Sequence, residues 1–287
     1  MNRVSIQTWT AIVLWSLAYV FTKIGLVYFD EIALSVFRYF VVGIVALCIL
    51  LYTKPKIPNV KDMLWLILLS LSGFFLNVLF YNLGANYVSV SLASLLMALS
   101  PLLSAIISIL FFKENITKLQ WFALFLSFIG SVMICVLDNG IQSEGILWIL
   151  LSMVCFTVYN LIGRYIKLPY NSIETMEYEL VITMVIFLFL MPQAISGVKE
   201  WNVYGFIVVL VLGLLCSGVG FILWNQALRN TDSTAKVTNC LFAEPILTSI
   251  FGFFFFQEIP SKGTVIGGCI ILIALYLFDK EVNSISD

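Results

Sequence analysis

The chain has 287 residues, 61% of them hydrophobic and only 11% charged, against about 45–50% and about 25% in ordinary soluble domains. So much apolar side chain exceeds what a soluble interior of this size can hold, so the solvent is lipid. A net charge of −1 argues against a nucleic-acid partner, and the lack of any histidine removes HExxH zinc sites, Ser–His pairs and histidine proton relays; no cofactor or metal is expected.

In chain order, ten apolar runs of about 20 residues are predicted as helices, the length a hydrocarbon core of about 30 Å requires. Helices are required because lipid cannot satisfy free backbone groups. The first, 6–27, spans a bilayer and has no A-x-A-like cleavage site, so it is read as an uncleaved first membrane helix. It carries Trp15 and Tyr19 one turn apart on one face, and Lys23 near its end. The second, 32–52, holds Arg38. An arginine at bilayer centre costs roughly 2.5–3.5 kcal/mol or more, so it must face protein or water. It is read either as a contact for a carboxylate or phosphate, or as a structural ion pair or a side chain snorkelling outward.

The third run, 63–85, holds Asn77, Tyr81 and Asn82, and the fourth, 90–112, holds Pro101 and is closed by Glu114. The fifth is 119–137. The sixth, 146–166, carries Tyr159 and Asn160, and the seventh, 174–192, opens on Glu174, Glu177 and Glu179. Acids at a helix start are read as capping, with Glu179 deep enough to be a coupling candidate. The eighth, 203–228, holds Trp224, Asn225 and Gln226. The ninth, 234–256, holds Lys236 and Glu244-Pro245 and is followed by Glu258; the tenth is 263–279. Trp and Tyr often belong to interface belts. Asn and Gln deep in a helix should instead line a cavity or bridge helices.

Glu244 is the most isolated acid in these runs. It is read as a proton carrier, a contact for a substrate ammonium, or a hydrogen-bond partner for a carbonyl freed by Pro245. Proline inside a helix removes a backbone hydrogen bond about one turn earlier, near Met97 and Leu241, so Pro101 and Pro245 are expected to break their helices. The six cysteines are scattered singly, without CxxC spacing, and read as packing residues. The sequon at Asn115 falls on the cytoplasmic side of this topology and is read as chance. With the N-terminus inside, alternate loops carry eleven Lys or Arg on the cytoplasmic side and two outside (Lys199 and Lys262), a strong positive-inside bias. Both termini are therefore expected in the cytoplasm, in the cell (inner) membrane.

SPLLSAIISILFFKE (100–114) and EPILTSIFGFFFFQE (244–258) share six of fifteen positions at an offset of 144. At the same offset Lys23 meets Lys167, Trp15 meets Tyr159, and Glu114 meets Glu258. The reading is an all-α integral membrane protein with ten transmembrane helices, built as two inverted five-helix repeats, 1–138 and 145–287. Inverted repeats are a plan of secondary transporters, with substrate near midplane between the halves. Glu114 and Glu258, at helix ends, are read as loop anchors or gate contacts.

The segments VSVSLASLLMALSPLLSAIISILFFKENITKLQWFALFLSFIGSVMI (88–134) and DSTAKVTNCLFAEPILTSIFGFFFFQEIPSKGTVIGGCIILIALYLF (232–278) resemble the repeat of the EamA family of drug/metabolite transporters. WSLAYVFTK (15–23) and LSVFRYFVVG (34–43) resemble its opening. Ala123 stands where the family usually has glycine, and Ile182 where a second Arg38 would fall. The resemblance implies ten helices, cytoplasmic ends and transport of small metabolites, often export of amino acids or related compounds. The partners are then a small-molecule substrate and the bilayer, with monomer and homodimer both open. Arg38, Glu244, Trp15, Tyr19, Tyr81, Asn82, Tyr159, Asn160, Trp224 and Asn225 are the candidate substrate contacts. A cationic drug-like compound, a sugar derivative or a nucleoside-type metabolite fits the same features. A membrane sensor remains an alternative, while an intramembrane enzyme would need an acid dyad or a nucleophile with its base.

Overall fold

The computed structural model describes residues 3–112, 117–137, 143–230 and 239–286. Glu114, Asn115 and Lys236 lie outside them. All the regular structure among the described residues is helical, apart from one antiparallel bridge between Phe29 and Val198. The helices are α1 (Arg3–Tyr28), α2 (Glu31–Thr53), α3 (Val60–Ala85), α4 (Val90–Met97 and Ser100–Phe112), α5 (Lys118–Leu137) and α6 (Ser143–Tyr165). They continue as α7 (Ser172–Leu188), α8 (203–229), α9 (Asn239–Ala243 and Glu244–Phe256) and α10 (Lys262–Ser286). A short helix, Met191–Ser196, follows α7. Five stretches have the length and apolarity to cross a membrane: Arg3–Tyr28, Glu31–Thr53, Val60–Ala85, Glu144–Gly163 and Val203–Ala227.

Local chemistry fixes the starts. Asp30 caps α2, its carboxylate accepting from the Ala33 amide at 2.7 Å. Asn171 and Glu174 form a reciprocal capping box at the start of α7, which satisfies amides that would otherwise lack partners. Glu174 is therefore a capping residue, as the sequence predicts. The ends are also tied: the Asp30 amide donates to the Gly197 carbonyl at 2.8 Å and the Lys199 amide to the Tyr28 carbonyl at 2.8 Å.

Pro101 and Pro245 do more than kink. The backbone of α4 turns at Ala98 and Leu99 and restarts at Ser100, so Pro101 is the second residue of a new helix. In α9 a 3-10 turn, Asn239–Ala243, precedes a restart at Glu244, with Pro245 in its first turn. There the missing N–H costs nothing, because the first amides of a helix have no intrahelical acceptor. α3 and α8 each contain a π-helical stretch, Ser70–Leu76 and Val211–Val219.

The principal packing partners obey a swap rule. α1 packs on α8 and α9, while α6 packs on α3 and α4; α2 packs on α8, while α7 packs on α3. α2 meets α7, α4 meets α9 and α5 meets α10. Exchanging the first five helices for the last five returns the same set, the signature of an approximate two-fold relation. Helices in lipid gain little from hydrophobic burial, so close approach and interhelical hydrogen bonds hold them. Asn77 donates to the carbonyl and hydroxyl of Ser152, both at 3.0 Å, joining α3 to α6. Gln7 donates to Gln226 at 2.8 Å, joining α1 to α8.

Candidate functional site

Residues from both halves meet where α1, α2, α3, α8 and α9 converge. Glu244 opens the restarted part of α9, so its position follows from the break before Pro245. The Tyr19 hydroxyl of α1 donates to its carboxylate, and Ser16 donates to its carbonyl at 3.4 Å. The Tyr19 ring stands edge-on to Tyr81 of α3, 5.3 Å between centroids. Tyr81 lies within electrostatic reach of both Arg38 and Glu244. Its hydroxyl is buried with no hydrogen-bond partner among the described residues.

Arg38 is buried on α2, 8% exposed. Its Nε donates to the Ser217 hydroxyl at 2.8 Å, and Ser217 in turn bonds the Tyr39 hydroxyl. Ser217 lies in the π-helical stretch of α8, and Gly213 lets that stretch approach: a Cβ there would come 2.7 Å from the Arg38 carbonyl oxygen. No carboxylate forms an ion pair with Arg38 among the described residues; Lys23 with Glu258 is the single such pair there. The guanidinium therefore keeps terminal N–H donors free for an anion. The sequence alternative of a structural ion pair for Arg38 finds no support among these residues.

An aromatic wall flanks this centre. Trp15 contacts Phe221 at 5.0 Å and Trp224 at 5.2 Å between ring centroids. The Trp15 Nε1 is buried without an acceptor among the described residues. Gly220 makes room for that ring, and Gly73 makes room for Tyr159: a Cβ would meet Trp15 Nε1 at 2.9 Å and Tyr159 Cδ2 at 2.3 Å. Trp15 and Tyr159 are the residues 144 apart, so the two halves use the same device.

The remaining candidates separate. Tyr159 turns to Glu179 on α7, donating to its carboxylate at 3.3 Å, and Glu179 is only 2% exposed. Asn82 is helix glue, donating to Ser35 at 2.8 Å and to the Glu31 carbonyl at 3.3 Å. Asn160 is exposed on α6, on the same side of the helix as the buried Met153 and Thr157. Asn225 is half-buried on α8. Lys23 pairs with Glu258.

Sequence reasoning missed three hydroxyls. Ser217 holds Arg38. Thr248 and Thr183 are fully buried with unpartnered hydroxyls, each one turn beyond an acid, the half-buried Glu244 and the buried Glu179. The usable signal is an acid in an apolar helix followed four residues later by Thr, which puts both on one face. A groove of about 190 Å³ lined by Phe29, Phe37, Phe40, Trp201, Phe206 and others is apolar and separate from this centre. No group of three or more potential metal ligands occurs among the described residues.

A family model described as the EamA-like transporter family matches residues 5–136 and again 143–278. An uncharacterized transporter of Archaeoglobus fulgidus is 28% identical over 92% of this chain and 93% of its own. A probable terminal-alkyne amino-acid exporter of Streptantibioticus cattleyicolor is 24% identical over 94% of this chain and 91% of its own. An S-adenosylmethionine uptake transporter of Rickettsia prowazekii is 25% identical over 87% and 83%. A solved crystal structure superposes with a TM-score of 0.65 over 99% of both chains at 18% identity, a likeness of fold.

Proposed function

The chain belongs to the EamA-like transporter family, a multi-pass membrane protein with a transport role, and from that premise we propose that it is a secondary transporter that exports amino acids or related compounds. Arg38 holds the carboxylate of the bound molecule, Glu244 holds its ammonium, and Trp15, Tyr19, Tyr81 and Trp224 cover its apolar part. The observation that carries this reading is that Arg38 and Glu244, one from each half, both lie within electrostatic reach of Tyr81, whose hydroxyl is buried and unspent, as is Trp15 Nε1. Buried polar groups are normally satisfied, so an unspent Tyr81 hydroxyl within reach of both charges favours a polar ligand. The amino-acid exporter among the relatives supports the substrate class.

The ten helices cross the bilayer as two inverted repeats, 1–138 and 145–287, in the cell membrane with both ends cytoplasmic. The swap-symmetric packing and the eleven-to-two distribution of basic residues support this arrangement. Rocking of the halves then exposes the centre to each side in turn. The sequence has no nucleotide-binding motif, so a gradient drives the cycle, and Glu179 is the coupling residue, buried on α7 with Tyr159 as its partner.

The aromatic wall favours a second substrate reading, an amino-acid derivative with a ring system, packed against the Trp15–Trp224 pair. Counterflow of radiolabelled leucine and of S-adenosylmethionine into proteoliposomes separates the two. Uptake of leucine that is lost in Arg38→Ala and Glu244→Gln is the expected result. Uptake of neither compound by the wild type removes the amino-acid reading. Glu179→Gln should keep counterflow and lose gradient-driven accumulation; loss of both removes its coupling role.

A further inference from the structure

Lys23 and Glu258 form the only ion pair among the described residues. The pair ties the last turns of α1 to the end of α9 and the start of α4. Lys23 lies one turn beyond Tyr19 on α1, and Glu258 follows the end of α9. The second carboxylate oxygen of Glu258 accepts from the Val90 amide, the first residue of α4, at 3.2 Å. The ends of α9 and α4 touch, since a Cβ on Gly252 would come 2.6 Å from Val90 Cγ2. Aromatic rings surround the contact: Lys23 Nζ sits 5.5 Å from the centroid of Phe256, and Phe21 lies 6.3 Å from Phe255. Tyr81 of the central site lies within electrostatic reach of Glu258 as well as of Glu244. The pair therefore lies within electrostatic reach of the site, one turn along α1 from Tyr19.

We propose that Lys23, Glu258 and the Val90 amide are a gate that closes one mouth of the central site and breaks in each cycle; the need to open rests on the transport reading. A structural brace would be placed where helices pack along their lengths, with its charges fully enclosed. This pair instead sits at helix ends, and its side chains remain 30% and 20% exposed. A partly hydrated pair is weak, so it opens readily. Because α1 and α9 carry both the site residues Tyr19 and Glu244 and the gate residues, a shift of α9 on α1 changes both together. Ser91, next to Val90, marks the space behind the gate: its hydroxyl is buried and unpartnered, 3.8 Å from where a Gly252 Cβ would stand.

The test is thiol reactivity in purified protein whose six native cysteines are serine. Ser91→Cys should react slowly with a charged methanethiosulfonate while the gate is intact. Lys23→Met and Glu258→Gln should each speed that reaction by about five-fold, the most one weak ion pair supports. Glu258→Asp, which keeps the charge, should stay near the parent rate. Ala123→Cys, fully buried where α5 runs, should stay protected throughout and so reports an intact fold. An unchanged Ser91→Cys rate in both charge-removing variants overturns the gate. A rise that appears at Ala123→Cys as well means a brace and also overturns it. The measurement needs no substrate, so its failure leaves the transport reading standing, and a failed counterflow assay leaves the gate result intact.

Discussion

Arg38 spends one of its guanidinium donors on Ser217, and five are available. Removing the side chain takes away a charge-assisted contact worth about 1.5–3 kcal/mol, so Arg38→Ala should weaken binding of leucine by roughly ten- to hundred-fold, read by competition in the counterflow assay. Lysine keeps the charge but not the planar fork, so Arg38→Lys should recover only part of the loss. Ser217→Ala strips the acceptor from a buried Nε–H. It should cost about 1–3 kcal/mol, seen as weaker leucine competition, while competition by a simple amine, which does not use Arg38, stays unchanged. Arg38 and Glu244 were legible in the sequence because an ionisable group inside an apolar run is rare and must have a reason. Ser217, Thr183 and Thr248 were not, because hydroxyls are common in such helices and usually return their hydrogen bond to the preceding turn. Asn82 and Asn160 resemble lining residues equally well in sequence. Only the fold separates the one that bridges to Ser35 from the one left exposed.

At the level of the helix, the apolar runs fall mostly on helical stretches among the described residues, with 234–238 of the ninth run outside them, because an apolar run of that length has no other stable form in lipid. The breaks in α4 and α9 were legible from the prolines, though their form was not: each proline begins a helix. If so, Pro245→Ala should change thermal stability by less than about 1 kcal/mol, measured by thermal unfolding in detergent. A proline bending a continuous helix would give a larger gain on replacement. The π-helical stretches of α3 and α8 left no mark in the sequence, since they have the same composition as the α-helical turns beside them. Gly213→Ala tests the one that holds Ser217. The new methyl meets the Arg38 backbone, which cannot swing aside, so α2 and α8 must separate at a cost of about 1–3 kcal/mol. The melting temperature should fall, and leucine competition should weaken with it.

For the molecule as a whole, the offset of 144 residues marked a repeat that matches the family model at 5–136 and 143–278, and the alternation of basic loops predicts its orientation. Reporters fused at either end should both be found in the cytoplasm; a reporter outside would remove the inverted arrangement. The pattern of partners was not legible, because it depends on which faces meet in three dimensions. α1 packs mainly on α8 and α9, and α6 on α3 and α4, so the first helix of each half is housed by the other half. The halves are thus interlocked, and a gene cut between codons 138 and 145 should give two fragments that are degraded when made singly and rescue each other when co-expressed. The same dependence reaches back to the duplication itself. A lone five-helix ancestor with these faces would have had no seat for its leading helix except in a second copy of itself, inserted the other way up.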